Sequence, residues 1–115
     1  MLVPVDRLSK DRYDLQWATN VLGHFYLTEL LMPALVTGVS SSLDHATRVV
    51  TTSSSAAYFG RIRWDTLKDG PARRKLRLYP QNLYFQSKLV RTHMSAYHSR
   101  HCQCADFRVT CSREM

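Results

Sequence analysis

The amino-acid sequence predicts an incomplete α/β fold, one portion of an open parallel sheet with its covering helices. Three features carry that expectation. An apolar helical period spans Tyr13 to Val36, a β-branched run without polar alternation spans Thr47 to Thr52, and a second helical period follows Pro80. Helix, buried strand, loop and helix in that order belong to a layered α/β unit and not to a helical bundle. At 115 residues the chain is one domain long. It has room for about two of the crossovers, each a dozen or more residues, that parallel pairing requires. Residues 1–115 therefore read as a single partial domain whose tail, 101–115, is poorly defined.

In the first helix Leu15, Ala18, Leu22, Phe25, Leu30 and Leu31 recur at three-to-four spacing beside further apolar residues, which predicts a broadly buried helix. Ser9 or Asp11 is placed to cap its start, Gly38 to follow its end, and Pro33 to kink its last turn. A Ser-rich connection from Thr37 to His45 leads into the strand, which Ser53 to Ser55 end in hydroxyl side chains. Ala56 to Tyr79 reads as a basic loop with a short helical turn near Ala72 to Leu76. Pro80 then opens a helix that Leu83, Leu89, Val90 and Met94 carry to about His98. Phe107 and Val109 alternate with polar neighbours and suggest a strand over Asp106 to Cys111.

Composition narrows the classes of function. The formal net charge of +7 permits an anionic partner, and seven basic residues fall between Arg61 and Arg77. No nucleic-acid motif accompanies them, so that cluster reads as a solvated loop and nucleic acid is not an expected partner. Cys102, Cys104 and Cys111 are odd in number and confined to the tail, which gives no disulfide framework. With His93, His98 and His101 they follow neither the paired Cys-x-x-Cys nor the His-Glu-x-x-His spacing, and no metal is expected. The apolar stretch near Val21 to Val36 contains His24 and Glu29 and is too short for a membrane span. These features together predict a cytoplasmic protein.

Tyr84 and Lys88 stand four apart in the second helix and so emerge on one face about one turn apart. An ammonium beside a phenol favours the phenolate, the condition for proton exchange near neutral pH. The Ser53 to Ser55 cluster lies at the carboxyl end of the strand, where ligands of open α/β sheets gather. Hydroxyls there also end strands simply by bonding to nearby backbone. Asn20 places an amide inside an apolar helix, and a buried amide needs partners, functional or structural.

Taken together, these residues resemble the catalytic half of the short-chain dehydrogenase/reductase family. Asn20-Val21-Leu22-Gly23-His24-Phe25 resembles its asparagine helix motif, Val49 to Ser55 its serine strand, and Tyr84-Phe85-Gln86-Ser87-Lys88 its Tyr-x-x-x-Lys signature. The insert Asp65-Thr66-Leu67-Lys68-Asp69-Gly70-Pro71 is similar to the retinol-dehydrogenase-like branch, particularly its fungal members. The resemblance implies a Rossmann-like, doubly wound parallel sheet and hydride transfer between NAD or NADP and a small carbonyl or alcohol substrate. It also implies roles by position. Tyr84 would be the proton donor or acceptor, Ser54 the hydroxyl that orients the substrate oxygen, Lys88 the cation that holds the ribose and tunes Tyr84, and Asn20 the holder of a water connected to Lys88.

The cofactor half is missing from this pattern. Gly23, Gly38, Gly60 and Gly70 each lack another glycine within nine residues, so no glycine-rich phosphate loop can be built. The resemblance implies strands and helices before Met1 and a further strand after the Tyr84 helix. A truncated gene model of an active enzyme, a decayed copy and a half that joins another chain all fit this pattern. Survival of all four key positions favours the first. The isolated chain is therefore expected to be inactive. The alternative is a non-catalytic remnant or interaction protein that pairs an exposed sheet edge with another chain, including self-association.

Overall fold

The structure is a computed structural model that describes residues 3–101 and 107–114, with side chains described for 3–99. Cys102 and Cys104 lie outside the described residues. The elements are α1 (Leu15–Trp17), a π-helical turn (Ala18–Gly23), α2 (His24–Ser41), β1 (Thr47–Ser54), a 3-10 segment (Ser55–Phe59), a 3-10 turn (Trp64–Thr66), α3 (Pro71–Arg74), a second 3-10 segment (Lys75–Leu78), α4 (Gln81–His101) and β2 (Phe107–Glu114). β1 and β2 pair in parallel, from Thr47 opposite Phe107 to Ser54 opposite Glu114. The intervening chain, with α4 packed against both strands, forms the crossover that parallel pairing demands. This is an α/β arrangement.

The first helical period gives a run from Leu15 to Ser41 that differs from the expectation in four ways. Asp14, not Ser9 or Asp11, caps the start, its Oδ2 accepting from the Trp17 N–H at 3.1 Å. Ser9 instead accepts from the Tyr13 N–H, 3.1 Å away. The helix passes through Pro33 and Gly38 to Ser41, and Ser42 rather than Gly38 stands at its end, its N–H donating to the Gly38 carbonyl. Proline removes one donor, while hydroxyls of Thr28, Thr37, Ser41 and Ser42 donate to carbonyls one turn back. Finally, α2 is not broadly buried: it has no buried residue, and Tyr26 and Leu30 are 65% and 60% exposed. Neighbouring elements cover only part of its circumference. Because the run extends past Val36, Leu15–Ser41 is long and apolar enough to cross a membrane by length and composition. Asn20 and Glu29 pair with side chains of α4 instead.

β1 runs two residues beyond Thr52 and is not covered on both faces, since Val50 remains 60% exposed while Ser53 is buried. The basic segment is only partly a loop. Its short helical turn forms as α3, with Pro71 at the first position. Arg73 within it is 1% exposed, contrary to a solvated cluster. Its Nη1 donates to Asp14 Oδ1 at 2.7 Å, and its Nη2 donates to the carbonyls of Val5 and Arg7. One guanidinium thus ties the amino-terminal segment, the cap of α1 and α3 together.

Apolar packing is divided between Val5, Leu76 and Leu83 in one cluster and Trp17, Val21 and Leu67 in another, with Tyr13, Val90 and Met94 against the second. Fully buried polar side chains, including Gln86 and Thr66, lie among them. The Cα radius of gyration is 16.0 Å, against about 13 Å for a compact chain of about this length. The layers are therefore incompletely closed.

Gly60 fixes the approach of the Ser55–Phe59 segment to α4. A Cβ there would lie 2.7 Å from the Phe85 carbonyl oxygen and 3.0 Å from Leu89 Cβ, so the segment has to move away to admit one. Gly60→Ala is expected to lower stability by about 1–3 kcal/mol. Urea denaturation followed by far-UV circular dichroism checks this, and an unchanged midpoint would contradict the close approach.

Candidate active site

α4 and β1 hold the candidate residues in two hydrogen-bonded groups. Tyr84 and Lys88 emerge on one side of α4, with the Lys88 ammonium 5.5 Å from the centroid of the Tyr84 ring. Between them in sequence, Ser87 is fully buried and donates to the Tyr84 carbonyl at 2.8 Å. Asn20 reaches across from the π-helical turn, its Nδ2 donating to Ser87 Oγ at 3.0 Å. A π turn carries one residue more than an α turn and re-aims the side chains it holds. Gly23 closes it, where an added Cβ would sit 3.3 Å from the Ala18 carbonyl.

The two serines at the end of β1 take different partners. Ser53 is the buried hydroxyl: it donates to the Lys88 carbonyl at 3.1 Å and lies 2.9 Å from Thr92 Oγ1. Ser54 accepts from the Ala56 N–H at 3.2 Å and caps the 3-10 segment. Both serines line a small cavity of about 100 Å³ with Ala57, Tyr58, Leu89 and Thr92. Among the described residues no hydrogen bond joins Ser54 to Tyr84. The structure thus joins Asn20 to the Tyr84 backbone through Ser87, sets the Lys88 ammonium over the Tyr84 ring, and anchors the strand end to the Lys88 backbone through Ser53.

Ser87, Ser53 and Thr92 were not singled out as the residues that tie the site together. Thr92 carried a legible signal, a hydroxyl four residues after Lys88 that bonds back to its carbonyl at 3.3 Å. Ser87 carries a similar local signal, a hydroxyl three residues after Tyr84 that donates to its carbonyl, while its bond to Asn20 spans 67 residues and has none.

Basic groups surround the site. His24 is held below its ordinary pKa first by partial burial and then by the charges of Arg91 and Lys88. The folded chain therefore resists protonating His24, while the unfolded chain takes up that proton near about pH 6.5. Stability from this group is present above that pH and falls as the solution is acidified through the window below it. His24→Gln is expected to reduce the drop in Tm between pH 7.5 and pH 5.5, measured by thermal melts. An identical drop would remove His24 as its source.

A helix bearing Tyr84 and Lys88, packed on the first of two parallel strands and tied to Asn20 in the π-helical turn, places the protein in the α/β class. Two short-chain dehydrogenases/reductases of Armillaria gallica are 48% and 49% identical to the chain over 88 residues, 76% of its length and 27% of theirs. The polyprenol dehydrogenase of Homo sapiens is 37% identical over 90 residues, 78% of this chain and 25% of the human protein. The chain belongs to the short-chain dehydrogenase/reductase family. It spans about a quarter of the length of these curated relatives. No protein-family model matches the chain, and no solved structure matches it.

Proposed function

We propose that this chain carries the proton-transfer residues of an oxidoreductase acting between a carbonyl and an alcohol. The observation that carries this reading is the line from Asn20 through Ser87 to the backbone of Tyr84, with the Lys88 ammonium beside the Tyr84 ring. Likeness to enzymes named dehydrogenases or reductases supports the reaction class, hydride transfer with NAD or NADP.

In this reading Tyr84 Oη gives a proton to the carbonyl oxygen as the substrate is reduced, or takes one from the alcohol in the reverse direction. Lys88 places its positive charge over the ring of Tyr84, beside the proposed site of proton transfer. Ser54 at the strand end is the hydroxyl proposed to orient the substrate oxygen. Asn20 acts as a positioning residue through Ser87. The name of the human relative supports an apolar alcohol as substrate.

The dinucleotide itself does not fit the chain. All four glycines are described, and none has the positive φ used in tight phosphate-cradling turns. Gly60 and Gly70, the nearest pair in sequence, are ten residues apart. Titration of the 115-residue chain with NADH or NADPH is expected to leave nicotinamide fluorescence without a saturable change, and saturable binding would overturn that expectation.

The function is tested by exchanging the matched 88 residues into one of the Armillaria gallica relatives that shows nicotinamide-dependent turnover. The chimaera is expected to turn over the substrates of its parent, and Lys88→Ala within it to lose that turnover. A folded chimaera with no activity would overturn the proposal.

A further inference from the structure

The stretch that links the Ser55–Phe59 segment to the Trp64–Thr66 turn is pinned at both ends. At one end Gly60 lies so close to α4 that an added Cβ would meet the Phe85 carbonyl oxygen at 2.7 Å. At the other, the Arg63 N–H donates to Gln86 Oε1 at 3.2 Å. Gln86 is itself buried, and its Nε2 donates to Thr66 Oγ1 at 3.3 Å. Both Gly60 and Arg63 have extended backbone, and alternate side chains of an extended stretch share a side. Arg61 and Arg63 accordingly line one cavity of about 190 Å³, together with Phe59, Leu76, Asn82 and Gln86.

Positive charge in this cavity exceeds what its surroundings neutralise. Arg63 meets Asp65 at 3.6 Å, an exposed pair of small worth. Arg61 makes no ion pair among the described residues, and no described carboxylate lines the cavity. Asn82, in the first turn of α4, adds an exposed amide.

We propose that this cavity binds a phosphate monoester, its phosphoryl group between Arg61 and Arg63 and its carbon substituent on the ring of Phe59. A monoester carries about −1.5 to −2 charges near pH 7 and three strong acceptor oxygens. Two guanidinium forks match it in charge and in geometry. A carboxylate, with one charge and two oxygens, is satisfied by a single fork. Phe59 is 75% exposed and gives the substituent an apolar face. The volume lies below the range of about 300–1,000 Å³ usual for larger ligands, which limits that substituent to a ring or a short chain. The inference stands on the pinned stretch and does not depend on the proposed chemistry of Tyr84.

Calorimetric titration of the 115-residue chain with phenyl phosphate tests the site. Saturable binding is expected, with benzoate weaker by about tenfold or more. Arg61→Gln is expected to weaken phenyl phosphate by the same factor with an unchanged circular dichroism spectrum. Arg77→Gln removes an equal charge outside this cavity and is expected to leave the affinity as it is. Equal binding of benzoate, unchanged affinity in Arg61→Gln, or an equal loss in Arg77→Gln would overturn the site in favour of diffuse attraction. Absence of saturable phenyl phosphate binding would overturn it outright. Co-sedimentation with phosphatidylcholine vesicles, with and without phosphatidate, separates the sources of the phosphoryl group. Pelleting that requires both phosphatidate and Arg61 assigns it to a lipid headgroup; phenyl phosphate binding without such pelleting assigns it to a soluble ester.

Discussion

Replacing Arg73 with methionine is expected to destabilise the chain by about 3–5 kcal/mol, because it leaves the Asp14 carboxylate buried without its partner. Arg73 and Asp14 have side chains only 2% exposed and meet at 2.7 Å. The same guanidinium donates to the carbonyls of Val5 and Arg7, so its loss orphans two backbone acceptors as well. Folded domains are commonly stable by only about 5–15 kcal/mol, and the apolar clusters here are small. Urea unfolding followed by the fluorescence of Trp17 and Trp64 measures the effect. The double variant Arg73→Met with Asp14→Leu removes both charges and is expected to lose less than the sum of the two single variants. A loss below about 1 kcal/mol for Arg73→Met would show that the pair is not structural. Arg12, whose contact with Asp69 is exposed, serves as the comparison and should change little.

Tyr84→Phe is expected to lower kcat of the chimaera by about 10²–10⁴, the usual contribution of a positioned general acid or base. Removing one hydroxyl leaves the ring, the helix and the Lys88 side chain in place. Cofactor affinity and unfolding midpoint should therefore hold, separating a chemical loss from a structural one. Stopped-flow measurement of the first turnover distinguishes chemistry from product release. Turnover retained within threefold would remove Tyr84 from its proposed role. A parallel Ser53→Ala variant addresses the strand end: Ser53 anchors β1 to the Lys88 carbonyl and to Thr92. Its loss should lower stability more than Ser54→Ala does, while Ser54→Ala should bear more on kcat/KM.

Legibility in the sequence followed the range of the interactions. Pro80 and the apolar spacing after it predicted α4, and the structure places that helix at Gln81–His101. The β-branched run predicted β1, and Phe107 with Val109 pointed to β2. These signals are local, because a residue three or four positions away decides a helix and a residue two away decides a strand face. In the sequence Arg73 is one more cation of a basic loop, since nothing near it announces Asp14, 59 residues earlier. The first helix was expected to be buried because its period is apolar, but periodicity states which face seeks cover and not whether cover is present.

The sequence by itself determined the two long helices and the two strands, their order, the parallel α/β class and the single helical turn that puts Tyr84 beside Lys88. Only the tertiary structure decided that Asn20 meets Ser87, that Ser53 rather than Ser54 holds the strand to α4, and that Arg73 lies inside. The physical reason is that backbone geometry and side-chain periodicity act within one or two turns. Burial and the pairing of polar groups depend instead on segments many tens of residues apart, whose approach packing alone sets.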